Sequence, residues 1–261
     1  MIKINDVLIE PSTFGDGTLK CEAPDVQTKD INKEIVITWC YDSDDELFCV
    51  YSLTRHLQDI GATKISLKLP YIPHARQDRY VSNRLFTLKY FADIINSLGY
   101  YKVYVLDPHS KVSLKLINNI EEMPLPFMVS PGSEMSKFAV MFPDKGAAEK
   151  YKDRYQTDTP IIIGKKHRNS EGRIDSYELE NFTDGITHVL IRDDICSYGG
   201  TFVAAAKELR KRGVWNIILV VSHCENNILK GEVFDHITTV FTTDSICTIS
   251  HPKLVVSKIF R

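Results

Sequence analysis

The side chains able to do chemistry fall in a few short stretches. Arg76, Gln77, Asp78 and Arg79 lie in PYIPHARQDR, and Asp107 and His109 lie in DPHS. Asp144 lies in PDKGA, Lys165, Lys166 and Arg168 in GKKHR, and Asp193 and Asp194 in DDICSYGGT. Arginine forks suit phosphate, and glutamine and aspartate suit nucleotide hydroxyls and ring nitrogens. A solvated, salt-bridged turn is the competing reading of ARQDR. His109 can ligate a metal or contact a phosphate, or it can be structural. Asp144 can hold Mg2+, directly or through water, or simply cap the next helix; Mg2+ that carries nucleotide phosphates needs only one or two carboxylates. GKKHR and the polar residues up to Asp184 read as a loop, either one that closes over a charged transition state or a solvated hairpin.

DDICSYGGT is the most specific of these stretches. A strand delivers two adjacent acids, and Gly199 and Gly200 allow a ligand close to the backbone. The helix that follows offers free N–H groups and the positive end of its dipole to an anion, and Thr201 adds a hydroxyl. Acids followed by an anion-binding turn suit a phosphorylated sugar, whose hydroxyls donate to the carboxylates. A strand, turn and helix with solvated acids is the plainer alternative.

These stretches are placed by an alternation of strands and helices. Residues 45–60 read as an amphipathic helix ended by Gly61, 64–69 as a strand, 87–98 as a helix capped by Thr87, and 102–106 as a strand. In the second half 138–142, 160–163, 187–192 and 216–222 read as strands, and residues 201–212 as a helix closed by Gly213. Strands separated by helices of this length indicate βαβ units and a mainly parallel sheet. Prolines and loss of pattern near 119–133 divide the chain into two α/β domains, 1–124 and 125–261. Each chemical stretch follows a predicted strand, and His223 follows the last of them. Ligands of open parallel sheets bind at that carboxyl edge.

The 261 residues, 43% hydrophobic and 25% charged with a net charge of −2, describe a globular protein with no electrostatic case for nucleic acid or a membrane surface. The six cysteines form no CxxC pair and fit a reducing compartment. The N-terminus lacks the pattern of a signal peptide, so the cytoplasm is the expected location. GxGxxG, GxxxxGK[ST] and GxSxG are all absent.

Taken together the stretches resemble the ribose-phosphate pyrophosphokinases, also called PRPP synthetases. PYIPHARQDR is similar to the family's ATP-binding segment, DPHS to its DLH(A/S) element and FPDKGA to its (S)PDxG element. GKKHR is similar to the catalytic-loop Lys-x-Arg, IRDDICSYGGT to the PRPP loop VDDxxDTGGT, and STFGDGTL to FxDGE; TTDSI (242–246) looks like the family's late segment. The resemblance implies two phosphoribosyltransferase-like α/β domains, each with a mainly parallel sheet flanked by helices. It implies transfer of the β,γ-diphosphate of Mg-ATP to the C1 hydroxyl of ribose 5-phosphate, releasing AMP. Carried over, Phe14 and Asp16 contact adenine in a neighbouring subunit of a homo-oligomer, a dimer or a hexamer of dimers. Arg76, Gln77, Asp78 and Arg79 bind ATP, His109 and Asp144 hold Mg2+ and its phosphates, and Lys166, Arg168 and His109 are catalytic. Asp193 and Asp194 hold the ribose, while Ser197, Tyr198, Gly199, Gly200 and Thr201 hold its 5-phosphate.

Three positions depart from the family pattern. Ser197 and Tyr198 replace the aspartate and threonine of DTGGT, and Thr18 replaces the glutamate of FxDGE. A less negative pocket with an aromatic face also suits ADP-ribose, on whose base Tyr198 could stack; the family's small phage-type relatives are thought to use it in rebuilding NAD. A non-catalytic partner of an active synthetase, or a phosphoribosyltransferase, are the weaker alternatives.

Overall fold

The computed structural model describes residues 1–24, 31–126, 137–168 and 174–261, with only the backbone of 168, 174 and 175. The chain divides into two compact units, Met1–Leu125 with Phe260–Arg261, and Pro126–Ile259. The last two residues thus return to the first unit, which the sequence pattern does not reveal.

The first unit is built on a six-stranded sheet in the order β2-β1-β5-β6-β7-β8. Its strands are β1 (Ile2–Ile4), β2 (Val7–Ile9), β5 (Ile35–Trp39), β6 (Ile65–Leu69), β7 (Val103–Leu106) and β8 (Ile120–Met123). β5 to β8 run parallel, while β1 pairs antiparallel with β2 and β5. A separate hairpin pairs β3 (Ser12–Thr13) with β4 (Leu19–Lys20). The helices are α1 (Glu46–Asp59), α2 (Thr87–Ser97) and α3 (Lys111–Leu116). α1 buries Cys49, Val50, Leu53 and Leu57, and α2 buries Leu88, Phe91, Ala92 and Ile95; this three-and-four spacing makes one apolar stripe. Both stripes pack with Ile37, Leu67, Leu69 and Val105 of the sheet. Each such side chain fully removed from water contributes about 1.5–3 kcal/mol.

The second unit carries a seven-stranded sheet in the order β11-β10-β9-β12-β13-β14-β15. The strands are β9 (Phe138–Phe142), β10 (Ile161–Arg168), β11 (Ile174–Glu180), β12 (His188–Cys196), β13 (Asn216–Cys224), β14 (Thr239–Thr243) and β15 (Leu254–Ser257). All run parallel except β11, which pairs antiparallel with β10. α4 (Lys145–Tyr151), α5 (Gly200–Lys211) and the short α6 (Val233–His236) connect them. FAVMF of β9 is buried at every residue, as a central strand covered on both faces must be.

Several expectations need correction. Lys165, Lys166 and the backbone of Arg168 belong to a strand, because β10 continues past 163 and pairs with β11 as a hairpin. Residues 169–173 lie outside the described residues. β12 runs four residues beyond Arg192, so Asp193 and Asp194 sit inside it. His223 lies within β13 and is buried; its Nδ1 is 2.8 Å from Ser245 Oγ. Thr87 is the first helical residue rather than the cap, and its hydroxyl donates to Gln77 Oε1 at 2.6 Å. Cys21 and Cys49 form a disulfide, while Cys40, Cys196, Cys224 and Cys247 are buried thiols outside any disulfide. No helix among the described residues is long and apolar enough to cross a membrane.

Candidate active site

In the first unit the segment after β6 and the segment after β7 meet. Leu106 N donates to Pro70 O at 3.0 Å, which joins the two strand ends. Asp78, only 5% exposed, accepts from Arg79 Nε at 2.8 Å and from Nη2 at 3.3 Å. Burial pushes the Asp78 carboxyl up, but hydrogen bonds from Arg79 and Ser110 and the nearby Arg79 and His109 outweigh it and leave the group below the usual range. Asp78, Arg79, His109 and Ser110 therefore form one cluster. Ser110 also caps α3, accepting from Val112 N at 3.3 Å. Gln77 is pinned to α2 by Thr87 and by Leu88 N, which donates to its carbonyl at 3.3 Å. Arg76 and His109 are exposed.

Phe14 and Asp16 occupy the tip of the β3–β4 hairpin, whose described hydrogen bonds are internal. Phe14 N donates to Thr18 O, and Asp16 Oδ1 accepts from Thr18 N at 3.0 Å and from its Oγ1 at 2.7 Å. These bonds hold the Asp16 carboxyl below its ordinary value. Phe14 is 54% exposed. Leu19 packs on the core and Cys21 is bonded to Cys49, so the hairpin is anchored at its base and open at its tip.

In the second unit, strand register brings the remaining residues together. β9 lies between β10 and β12, with Ile191 opposite Met141 and Ile163 opposite Phe142. Continuing those registers sets Asp193 and Asp194 beside Pro143 and Asp144, with Lys166 on the other side. Lys166 Nζ donates to Asp144 Oδ2 at 2.9 Å, and Asp144 Oδ1 caps α4 by accepting from Ala147 N at 3.0 Å. Burial raises the Asp144 carboxyl, but Lys166 and the helix N–H groups more than offset this and hold it below the usual range. Asp193 goes the other way. Burial, then the charge and hydrogen bond of Asp194, then Asp144, drive its pKa well above the ordinary value. Carboxylates this close cannot all ionise freely, so Asp193 and Asp194 are treated as one titrating pair.

The loop after β12 leads into α5. Gly199 has φ of +78°, and a Cβ there would lie 2.0 Å from Val233 Cγ2, so both conformation and space require glycine. Ser197 Oγ donates to Glu225 Oε2 at 2.5 Å. Tyr198 is 54% exposed, Gly200 opens α5, and Thr201 sits in its first turn. The N–H groups of that turn have no carbonyl partner within the helix, as at any helix start.

Three contributors were not found by sequence reasoning. Tyr177 of β11 donates from its hydroxyl to Pro143 O at 3.0 Å, passing over Gly164, where a Cβ would lie 2.0 Å from that hydroxyl. Burial and the charges of Asp144 and Asp193 raise its pKa, which places it in the acid cluster. Arg192, 4% exposed, donates to Asp193 O at 2.6 Å, to Val220 O at 3.1 Å and to Ser222 Oγ at 2.9 Å. Its guanidinium lies 4.4 Å from the Tyr151 ring centre and steadies the end of β12. Glu225 reaches Ser197 from the end of β13. The presence of Gly164 in an otherwise well-filled strand is the one local signal that could have marked a close approach.

Among the described residues no group of three or more His, Cys, Asp or Glu is arranged to hold a metal ion unaided. The ionised Asp144 is a hard oxygen donor suited to Mg2+, while the His109 imidazole is a poorer match for it. Such a sparse donor set fits an ion held chiefly by a substrate's phosphates.

No protein-family model matches the chain. The ribose-phosphate pyrophosphokinase of Marinomonas sp. is 27% identical over 248 residues, covering 92% of this chain and 77% of that protein. The ribose-phosphate pyrophosphokinase of Pyrococcus furiosus is 30% identical over 203 residues, covering 74% and 70% respectively. The crystal structure of phosphoribosylpyrophosphate synthetase from Mycobacterium smegmatis matches with a TM-score of 0.75 at 17% identity, over 97% of this chain and 87% of that one. That last likeness is one of fold. With identity of 30% sustained over 70% of a relative's length, the chain belongs to the ribose-phosphate pyrophosphokinase family.

Proposed function

We propose that the protein transfers the β,γ-diphosphate of ATP to the C1 hydroxyl of ribose 5-phosphate, forming PRPP and AMP. The observation that carries this reading is the edge of the second sheet. There an ionised Asp144–Lys166 pair, the Asp193–Asp194 pair and the start of α5 stand on neighbouring elements.

The acid pair holds a proton more tightly than ordinary carboxyls do, so it can both donate to and accept from sugar hydroxyls. The backbone N–H groups of Gly199 to Thr201 and the Thr201 hydroxyl hold the 5-phosphate. The C1 oxygen forms a bond to the β-phosphorus, and the bond from that phosphorus to the α,β-bridging oxygen breaks. AMP leaves with that electron pair, and the hydroxyl proton passes to solvent. Charge on the moving group is met by Lys166 and Arg168, so positioning and neutralisation carry the rate. In the first unit Arg76, Gln77, Asp78, Arg79 and His109 would take the nucleotide, and in the second Asp144 is the carboxylate suited to the metal. A bound Mg2+ supplies neutralisation of the phosphate oxygens. Phe14 and Asp16, on an open hairpin tip, serve the adenine of a neighbouring copy in a homo-oligomer.

Purified protein with Mg-ATP and ribose 5-phosphate should release AMP only when the acceptor is present. A second reading, the same transfer to ADP-ribose, is favoured by Tyr198, an exposed ring beside the phosphate turn. Running both acceptors in parallel ranks the two readings. No AMP with either overturns both.

A further inference from the structure

We infer that Glu225 is a positioning residue for the sugar-phosphate loop, supplying from β13 the carboxylate that the loop itself lacks at Ser197. The inference rests on the acceptor site proposed above. The family pattern that this loop resembles, DTGGT, has an acid where this chain has Ser197. Here the acid stands one strand away. β12 and β13 run parallel with Cys196 opposite Cys224, so Ser197 and Glu225 each follow their strand by one residue. The two turns are tied by the backbone, Glu225 N donating to Cys196 O at 2.8 Å. They are tied again by side chains, Ser197 Oγ donating to Glu225 Oε2 at 2.5 Å. Asn227 Nδ2 approaches the same oxygen at 3.4 Å.

Two consequences follow. The Ser197 hydroxyl spends its single proton on Glu225, so it has none to give a phosphate. Ser197 therefore shapes the turn rather than gripping the ligand, and contact with phosphate falls to the backbone and Thr201. The site also has room for one acid, at 197 or at 225. Two carboxylates at the Ser197–Glu225 separation would repel, forcing a proton onto one or pushing the turn away from α5.

The experiment is a cycle of Glu225→Ala, Glu225→Gln, Ser197→Asp and Ser197→Asp/Glu225→Ser. Each variant is checked for folding by circular dichroism and thermal melting. Acceptor KM is read from AMP release, and ribose 5-phosphate binding without ATP is read by calorimetry. We expect Glu225→Ala to raise acceptor KM about tenfold, with ATP KM unchanged and kcat altered less. Glu225→Gln, whose amide oxygen still accepts from Ser197, should return to within about threefold. Ser197→Asp should be impaired at least as much as Glu225→Ala, and the double variant should recover most of the loss by moving the acid back. An unchanged acceptor KM in folded Glu225→Ala overturns the inference, as does equal impairment in Ser197→Asp and the double variant. A wild-type protein that binds ribose 5-phosphate without releasing AMP sinks the diphosphokinase reading and leaves the cycle readable by calorimetry. One that binds no ribose 5-phosphate sinks both.

Discussion

Asp78 and Asp193 are aspartates at corresponding places, the carboxyl edges of the two sheets, with opposite surroundings. Asp78 is nearly buried but ringed by Arg79, Ser110 and His109, and its carboxyl is held ionised. Asp193 shares its neighbourhood with Asp194 and Asp144, and burial and these acids push its pKa well above the usual range. In the first unit charge is balanced by the protein itself. In the second, three carboxyls crowd one sheet edge, and Lys166 is paired with Asp144. Strongly perturbed acids grouped at a sheet edge mark a place built for a ligand that relieves them.

The largest effect should come from removing the cation at the second edge. Lys166→Ala is expected to lower the rate of AMP release by about 10²–10³, mainly in kcat. Asp144 is partly exposed, so water can replace its lost partner and the fold should hold. A variant within threefold of wild type would show that the Asp144–Lys166 pair is a structural ion pair like those of the first unit.

Gly199→Ala tests whether the turn into α5 is as tightly fixed as its geometry demands. The added methyl meets Val233 at φ of +78°, and strain of this kind costs about 1–3 kcal/mol before any clash. The melting temperature should fall by several degrees, with loss of ribose 5-phosphate binding. Unaltered melting would mean that the turn relaxes freely and holds no preformed anion site.

The sharpest comparison is a pair of isosteric changes with opposite signs. A raised folded pKa means that the stability from Asp193 is fully present below its unfolded value, about 4. That stability is lost as pH rises through the folded value. Asp193→Asn cannot ionise, so it should melt higher than wild type at pH 7, with the gain vanishing near pH 4. It should also weaken acceptor binding, since an amide accepts fewer hydroxyl hydrogens. Asp78 has a lowered folded pKa, so its contribution is present above its unfolded value and lost as pH falls through the folded one. Asp78→Asn should melt lower at pH 7 by on the order of 1 kcal/mol and match wild type in acid. Shifts of the same sign would end the contrast between the two edges.

How much of this was legible beforehand follows from the range of the interactions. β6, β7 and β9 were marked by their own apolar or alternating residues, and α1, α2 and α5 by apolar stripes closed by glycine, while β5 was not marked. The ordering of DPHS, PDKGA and DDICSYGGT along the chain was enough to suggest the family. Short edge elements were not legible: β1, β2 and β8 have three or four residues each and draw their stability from neighbours. The ends of β12 and β13 were cut short because Asp193, Asp194 and His223 look like loop residues. They remain in strands because Arg192, Ser222 and Ser245 supply buried partners for polar groups there. Glu225 and Ser197 lie 28 residues apart, and only the parallel register makes them neighbours.

The smallest effect should come from an exposed ion pair of the first unit. Asp42 accepts from Arg261 Nη2 at 2.6 Å and from the Met1 amino group at 2.6 Å, and so ties the returning end of the chain to the first sheet. Burial raises its carboxyl, but Arg261 and the Met1 amino group more than compensate and lower it. Its side chain is 46% exposed, however, and exposed pairs contribute about 0–1 kcal/mol. Asp42→Asn should therefore lower the melting temperature by a degree or two at low ionic strength and hardly at all in 1 M salt, where charges are screened within about 3 Å. Asp193→Asn should keep most of its gain in the same salt, because desolvation of a half-buried acid is not a screened Coulomb effect. If salt erased both shifts alike, Asp193 would be an ordinary surface acid, and the second edge would lose the property that distinguishes it from the first.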